Sequence, residues 1–256
     1  LLGGGGSLRA EEFFPEREAF AFRGEAVVLG AERCHQLPDR LNLLGTPGVR
    51  AAEGVAVAEL ALAHMLSVAR FISIAGHTMR EDKWEKKAYK GIELAGRTLG
   101  VIGYGRIGQS LGAKAQALGM KVLAYDIFKA EGLENENMKY VEMDELLANA
   151  DFISVHTPSI DGKPLINADT IAKMKDGAIV INTSRGNNVD EDALLAALES
   201  GKLRGAGLDV FAEEPAKNHA LYSHPHVSCT PHIGAQTAEA QKRVGAEIVD
   251  IIKNFA

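Results

Sequence analysis

The most constraining feature of this chain is a glycine-rich turn that separates a short β-prone run from a helical pattern. The apolar run spans Thr98–Ile102, and the helical pattern covers Gln109–Leu118. The turn between them has the spacing G-x-G-x-x-G, with its glycines at Gly103, Gly105 and Gly108. Strand, glycine turn and helix in this order predict part of a doubly wound parallel α/β sheet.

An acidic residue follows this turn at the distance expected for a dinucleotide site. A second apolar run, Lys121–Tyr125, ends next to Asp126, which lies 18 residues after Gly108. A carboxylate there can accept hydrogen bonds from both ribose hydroxyls, while free N–H groups at the helix start hold the phosphates. Because a 2′-phosphate would meet a like charge, the pattern favours NAD over NADP. The alternative is that Asp126 only forms a turn at the end of a strand.

Composition places the chain among globular proteins and argues against several classes of partner. Its 256 residues, 46% of them hydrophobic, can form one large or two modest domains. The net charge of −6 argues against nucleic acid or an anionic membrane as a partner. The two cysteines, Cys34 and Cys229, form no disulfide framework, so we expect a reducing, cytoplasmic environment. No apolar run approaches the roughly 18 residues of a membrane span.

The chain beyond Gly100 alternates between apolar runs and helical patterns, which predicts a doubly wound, Rossmann-like sheet. Further strands are expected at Phe152–His156, Ala178–Asn182, Gly205–Val210 and Val227–Thr230. Further helices are expected at Asp144–Asn149, Ala168–Met174, Glu191–Ser200 and Thr237–Phe255. Apolar residues at helical spacing over Val55–Ile74 predict one long buried helix. The first 45 or so residues contain a linker-like run, Gly3–Ser7, and one strand-like run, Glu25–Leu29, too little for a complete α/β domain.

A basic residue follows one of the predicted strands, at the edge of the sheet where ligands bind in such folds. Arg185 comes shortly after Ala178–Asn182 and precedes a glycine. Its guanidinium group suits a 2-oxo acid, since a fork of donors can hold the carboxylate and the carbonyl oxygen together. The alternative for Arg185 is a structural ion pair.

Glu214 and His232 also follow predicted strands, and each has a proline beside it. If the two side chains touch, the carboxylate of Glu214 would fix the tautomer of His232 and favour its protonated form. Such an imidazole can donate a proton to a carbonyl oxygen as hydride reaches the carbon, and can take the proton back in the reverse reaction. The alternative for His232 is a capping or buried structural histidine.

The other histidines and the single tryptophan are expected to be structural. His219, His224 and His226 have a spacing that could suggest a metal, but no cysteine or carboxylate cluster completes the set. We therefore expect no metal site and a solvated loop there. His64 is expected to be a core histidine with its hydrogen bonds satisfied, and Trp84 is expected to pack against the protein.

Four stretches of the chain resemble the NAD-dependent D-isomer-specific 2-hydroxyacid dehydrogenase family, most closely its D-3-phosphoglycerate dehydrogenase branch. They are Gly91–Gly100, Asn182–Gly186, Leu208–Pro215 and Thr230–Thr237. The resemblance implies that Arg185 holds the substrate and that Glu214 and His232 form the acid/base pair. It also implies cofactor contacts at Gly103, Gly105, Arg106, Ile107, Gly108, Asp126, Thr157, Thr183, Asp209 and Gly234.

The resemblance runs from about Thr46 to the end of the chain and implies two domains. Residues 55–233 would form the NAD-binding domain, and residues 1–54 with 234–256 would form a smaller, flavodoxin-like substrate domain. Since the family carries roughly twice as many residues before the motif at Thr46, the substrate domain is expected to be truncated. A homodimer built around the long helix is also implied.

These features predict an oxidoreductase that transfers hydride between NAD(H) and a 2-hydroxy or 2-oxo acid. The leading candidate substrate is 3-phosphoglycerate, and a simple 2-oxo acid is the second. The alternative is an NAD-binding sensor or interaction protein, or a catalytically impaired fragment that retains the cofactor domain.

Overall fold

The computed structural model describes residues 47–159 and 162–255, which contain a seven-stranded sheet with helices on both faces. The strands are β1 (Thr98–Ile102), β2 (Lys121–Tyr125), β3 (Met138–Tyr140), β4 (Phe152–Val155), β5 (Ala178–Asn182), β6 (Leu203–Leu208) and β7 (Val227–Cys229). Every neighbouring pair is parallel, and the strand order is β3-β2-β1-β4-β5-β6-β7. The order reverses between β1 and β4, which is the point where ligands bind in doubly wound sheets.

Eight α-helices connect or flank these strands in the described residues. They are α1 (Pro47–Arg70), α2 (Ile72–Arg80), α3 (Arg106–Ala117), α4 (Met143–Asn149), α5 (Ala168–Lys173), α6 (Glu191–Glu199), α7 (His219–Tyr222) and α8 (Ala238–Phe255). A single turn of 3-10 helix covers Gly186–Asn188. The predicted doubly wound parallel sheet is therefore confirmed.

The core lies in two layers, one on each face of the sheet. Every residue of β4 and β5 is buried, as expected for central strands of a parallel sheet that is covered on both sides. Side chains alternate between the layers, so that Phe152 belongs to one apolar cluster and Ile153 to the other. This rigid support fixes the carboxyl ends of the strands, where the candidate functional residues lie.

Helix α1 lies directly on β6 because two glycines in that strand leave room for it. A Cβ atom on Gly205 would lie 2.5 Å from Cγ1 of Val68, and one on Gly207 would lie 2.6 Å from Cβ of His64. Helix α1 also contacts α8, so the helix at the C-terminal end of the described chain packs on the same layer.

The long helix expected over Val55–Ile74 is divided at Phe71. Phe71 has a left-handed backbone, with φ of 57°. Its ring lies 5.6 Å from the guanidinium carbon of Arg204 and 5.9 Å from the ring of Tyr89. Helix α2 consequently leaves at an angle of 66° to the preceding helix. The break depends on contacts with residues remote in sequence, which the local apolar pattern does not contain.

Smaller differences concern short elements. Strand β3 and helix α7 were not predicted, because each has only three or four residues and little apolar periodicity. Helix α7 replaces part of the loop expected around His219. Trp84 is 78% exposed, so the expectation that it packs against this chain is wrong. The runs Gly3–Ser7 and Glu25–Leu29 lie outside the described residues.

No single helix among the described residues is long and apolar enough to cross a bilayer. Within the same residues, only the bent pair Gly54–Arg70 and Ile72–Arg80 meets the length and composition of a span when the two helices are taken together.

Candidate active site and cofactor cleft

The glycine turn joins β1 to α3, and each of its glycines meets a different requirement. Gly103 has φ of +91°, and a Cβ atom there would lie 2.8 Å from the carbonyl oxygen of His156. The Cβ position of Gly108 lies 3.0 Å from Cγ1 of Val101, so the helix packs closely on the strand. Beside Gly105, no described atom other than those of the adjacent residues lies within 4 Å of the Cβ position. The turn is therefore open where a pyrophosphate group would approach the backbone.

The first residues of α3 are Arg106 and Ile107, so this helix starts at the open side of the turn. The earliest N–H groups of a helix have no acceptor within the helix, and the helix dipole favours a negative charge there. Helix α3 begins three residues earlier than the sequence pattern predicted. The earlier start places the backbone of Arg106 and Ile107 in the first turn of the helix, a position that suits phosphate groups.

Asp126 directly follows β2 and is partly exposed. One carboxylate oxygen, Oδ1, accepts a hydrogen bond from the backbone N–H of Phe128 at 2.9 Å. The residue therefore forms the turn that was considered as its alternative role, and the same turn orients the carboxylate. The second oxygen is suited to the ribose hydroxyls of NAD.

Two threonines lie at neighbouring strand ends, above the switch point of the sheet. The Oγ1 atom of Thr183 is buried and has no hydrogen-bond partner among the described residues, which is unusual for a buried hydroxyl group. Thr157 lies beside the glycine turn, because a Cβ on Gly103 would be 2.9 Å from its Cγ2 atom. The orphaned hydroxyl, the open side of Gly105 and the carboxylate of Asp126 fit a bound dinucleotide.

Arg185 is presented by a turn that Asn182 organises. The side-chain oxygen of Asn182 accepts from the N–H and the hydroxyl of Ser184, at 3.1 and 2.8 Å, and its amide donates to the carbonyl of Arg185 at 2.9 Å. Asn188 braces the same turn through a hydrogen bond of 3.0 Å to the hydroxyl of Ser184. Asn182 is completely buried, so this network is shielded from water.

The Arg185 turn meets the loop after β6 at Gly186. A Cβ atom at this position would overlap the carbonyl group of Phe211. This close approach brings Arg185 to the loop that carries Glu214. Arg185, Phe211, Glu214 and His232 accordingly line one cavity of about 290 Å³.

Glu214 and His232 are in direct contact. Oε2 of Glu214 lies 2.7 Å from Nδ1 of His232, and Oε1 accepts from the backbone N–H of Phe211 at 3.2 Å. Partial burial raises the pKa of Glu214. The opposing effects are larger in total: the pKa is lowered by the hydrogen bonds from His232 and Phe211 and by the charges of His232 and Arg185. The net pKa of Glu214 is below its ordinary value, so at neutral pH the carboxylate is ionised and accepts the Nδ1 proton. This leaves Nε2 of His232 as the nitrogen that can exchange a proton with a ligand.

Asp209 holds the backbone on both sides of His232. Its Oδ1 atom accepts from the hydroxyl of Thr230 at 2.6 Å and from the N–H of Ile233 at 2.8 Å. Its Oδ2 atom accepts from the N–H of Gly234 at 2.8 Å. Asp209 is almost fully buried, so it is a structural support of the His232 loop as well as a predicted cofactor contact.

The structure thus brings Arg185, Glu214 and His232 together, and it places the predicted cofactor residues along the carboxyl ends of the strands. The sequence patterns did not assign roles to Asn182, Asn188 or Thr230, although Asn182 and Thr230 lie in stretches that resemble the family. Hydrogen bonds between separate loops have no local sequence pattern. Among the described residues, no group of three or more His, Cys, Asp or Glu side chains is arranged to hold a metal ion.

Comparisons with known proteins match this geometry. The family model "D-isomer specific 2-hydroxyacid dehydrogenase, NAD binding domain" matches residues 62–234. A hydroxypyruvate reductase from Thermotoga maritima is 49% identical over 216 residues, which cover 83% of this chain and 69% of the relative. A D-3-phosphoglycerate dehydrogenase from Synechocystis sp. is 38% identical over 265 residues, which cover 95% of this chain and 48% of the relative.

Solved structures agree with these relatives. A D-lactate dehydrogenase from Aquifex aeolicus, complexed with NAD and lactic acid, aligns with a TM-score of 0.71 at 36% identity, covering 78% of this chain and 66% of that one. The described strand order, the glycine turn and the family match identify the cofactor as NAD. The chain belongs to the D-isomer-specific 2-hydroxyacid dehydrogenase family.

Proposed function

We propose that this protein is an NAD-dependent oxidoreductase that interconverts a 2-hydroxy acid and the corresponding 2-oxo acid. The observation that carries the proposal is the contact between Glu214 and His232 in the cavity that Arg185 also lines. An acid/base pair beside a guanidinium group, at the edge of a dinucleotide-binding sheet, suits this reaction class.

The proposed mechanism assigns one task to each side chain. Arg185 binds the carboxylate of the 2-oxo acid and polarises its carbonyl oxygen. Nε2 of His232 donates a proton to that oxygen during reduction and removes it during oxidation. Glu214 orients the imidazole through Nδ1 and stabilises it when it is protonated. NAD, when bound, supplies the position that gives or receives the hydride.

Two substrates are supported by the names of relatives, and their 2-oxo forms, hydroxypyruvate and 3-phosphohydroxypyruvate, differ by a phosphate group. Hydroxypyruvate is supported by the Thermotoga maritima reductase, and 3-phosphoglycerate by the Synechocystis sp. dehydrogenase. A second cavity of about 570 Å³ adjoins Glu214 and His232, and its described lining is mainly apolar and contains no lysine or arginine. This lining favours a substrate without a phosphate, so hydroxypyruvate is the first substrate to test and 3-phosphoglycerate the second.

We also propose a homodimer, a smaller second domain and a cytoplasmic location. Support for the dimer comes from Ile72, Met79 and Trp84, which are 58%, 53% and 78% exposed on and after the bent helix α2. Large exposed apolar side chains often mark protein interfaces when they form a patch. The second domain would comprise residues 1–54 and 234–256, beside a cofactor domain of residues 55–233. The chain spans about half to two thirds of the Synechocystis sp. and Aquifex aeolicus proteins, so their whole activities remain proposals for it.

Two measurements on the same preparation test the proposed function. Fluorescence titration measures NADH binding, and loss of NADH absorbance measures turnover with hydroxypyruvate, glyoxylate, pyruvate and 3-phosphohydroxypyruvate. Binding together with turnover of at least one acid supports the proposal. Binding without turnover of any acid would instead support an NAD-binding sensor or impaired fragment. Absence of NADH binding would contradict both.

A further inference from the structure

His64 lies on α1, behind the loop that presents His232, and is 2% exposed. Its two ring nitrogens are both engaged, Nδ1 with the hydroxyl of Ser228 and Nε2 with the hydroxyl of Thr230, each at 3.0 Å. Gly207 on β6 makes room for it, because a Cβ there would lie 2.6 Å from Cβ of His64. The histidine is therefore seated between the sheet and the loop that follows β7.

The directions of these hydrogen bonds follow from Asp209, the acceptor at the end of the hydrogen-bonded series. The hydroxyl of Thr230 donates to Oδ1 of Asp209 at 2.6 Å, and a hydroxyl has only one hydrogen to donate. Thr230 must therefore accept from Nε2–H of His64. In the neutral imidazole Nδ1 then has no proton and accepts from Ser228. The four side chains form one polarised series, in which each bond strengthens the next.

This arrangement requires a neutral imidazole on His64. Burial lowers the pKa of His64, and the nearby charge of Asp209 offsets only part of that effect. The hydrogen-bond directions are therefore maintained at neutral pH.

The series ends at the carboxylate that holds the backbone around His232. Asp209 binds the side chain of Thr230 before the histidine and the N–H groups of Ile233 and Gly234 after it. His232 itself has a left-handed backbone, with φ of 54°, which is unfavourable for a residue with a side chain and requires support from its surroundings. If the carboxylate of Asp209 moves, the peptide groups on both sides of His232 move with it.

We propose that His64 is a positioning residue for the proton-transfer histidine: through Thr230 and Asp209 it fixes the backbone that carries His232. His64 touches neither substrate nor cofactor in this scheme. Its effect on turnover rests on the proposed function of His232, whereas its effect on the order of the loop does not. A displacement of about 1 Å at a catalytic group can reduce the rate by about a hundredfold.

The test compares His64→Leu with His64→Gln in the full chain. Leucine leaves Thr230 without a donor, whereas the glutamine amide can donate to Thr230 and accept from Ser228. For His64→Leu we expect the amide hydrogens of Ile233 and Gly234 to exchange about tenfold faster, measured by NMR. We also expect kcat to fall about tenfold to a hundredfold while KM for the 2-oxo acid changes less than about threefold. His64→Gln should recover most of both losses.

Two further variants separate positioning from simple destabilisation. Met65 is the fully buried neighbour of His64 on α1, and Met65→Ala should lower the melting temperature without changing kcat or the exchange of these two amides. Thr230→Val should reproduce the effects of His64→Leu, and the double variant should add little to either. This variant also provides the test if His64→Leu does not fold.

The outcomes keep this inference apart from the proposed function. Exchange and kcat in His64→Leu or Thr230→Val that match those of Met65→Ala would overturn the positioning role. If the wild-type protein turns over no 2-oxo acid, the proposed function fails and amide exchange alone decides on His64.

Discussion

Gly186 and Phe211 meet backbone to backbone, so closely that a side-chain carbon on Gly186 would overlap the carbonyl group of Phe211. One of these residues follows Arg185, and the other lies three positions before Glu214. Their contact joins the turn after β5 to the loop after β6. The guanidinium group of Arg185 and the Glu214–His232 pair line one cavity because these two backbones can touch.

Substitution Gly186→Ala should therefore separate the two loops. We expect the free energy of unfolding to fall by about 1–3 kcal/mol, as for other overpacked sites. Because Arg185 is displaced from the pair, kcat/KM should fall by about a hundredfold. Urea unfolding and steady-state kinetics measure the two effects. Gly245→Ala on α8 is the matched control, since no described atom outside the adjacent residues and the backbone of its own helix lies within 4 Å of that Cβ position, and alanine favours a helix. Equal behaviour of the two variants would contradict the role of the contact.

Removal of the carboxylate at position 126 should weaken NADH binding. Asp126→Ala removes both the hydrogen bonds to the ribose and the turn with Phe128. Hydrogen bonds to a charged group contribute about 1.5–3 kcal/mol, so Kd for NADH should rise by about ten- to a hundredfold. Asp126→Asn retains an oxygen for the Phe128 N–H and isolates the effect of charge. Titration of both variants with NADH and NADPH measures the change in Kd. An unchanged Kd for NADH in the alanine variant would refute the assignment of Asp126 to the ribose hydroxyls.

Acid should destabilise the protein through His156. Burial lowers the pKa of this imidazole from 6.5 to about 4, and its Nδ1 atom has no hydrogen-bond partner in the part of the chain that the structure describes. Between these two values the unfolded chain binds a proton that the folded chain does not, so stability falls as pH falls from 6.5 towards 4. At pH 5 the loss from this group amounts to about 2 kcal/mol.

Urea unfolding at pH 7 and pH 5 measures this loss. His156→Gln should be less sensitive to acid than the wild type by about the same amount. His64, whose pKa is also lowered by burial, contributes in the same direction and remains in both proteins. His219→Gln on the short helix α7 is a suitable control on a more exposed histidine. Equal acid sensitivity of His156→Gln and the wild type would contradict the prediction.

The charge of Glu214 should matter more than its size. Glu214→Gln retains a hydrogen-bond acceptor for Nδ1 of His232 but removes the negative charge that stabilises the protonated ring. We expect kcat to fall by about a hundredfold with little change in the Kd for NADH. Glu213→Gln is a control, because Glu213 pairs with Lys217 on the same loop. Similar kinetics for the two variants would show that the Glu214–His232 contact has no part in turnover.

The sequence was sufficient to predict the sheet because each central strand is an apolar run bounded by turn residues. The strand predicted over Ala178–Asn182 begins and ends at these residues in the structure, and the bounds of β1 and β2 also agree with the prediction. The meeting of Arg185, Glu214 and His232 could be predicted because parallel strands end at one edge of the sheet. These inferences need only local patterns and a general rule of topology.

Features that depend on contacts between distant segments could not be predicted. At the break of the long helix, Phe71 contacts Arg204, which is close in space but remote in the sequence. The support of the His232 loop by Asp209 requires an acid and amide groups more than twenty positions apart. His64 was expected to be a satisfied core histidine, and its two hydrogen bonds confirm this, but its partners could not be identified from an apolar helix pattern.

The most direct test of the account compares the wild-type protein with His232→Gln, measuring NADH consumption with hydroxypyruvate and NADH binding by fluorescence. We predict that the wild type consumes NADH and that the variant is slower by about a hundredfold to ten-thousandfold, because it lacks the group that moves the proton. The Kd for NADH should stay within about threefold, since the glycine turn and Asp126 follow other strands and the substitution leaves the backbone of the His232 loop unchanged. Equal rates of NADH consumption by the two proteins would contradict the assignment of His232 as the acid/base residue.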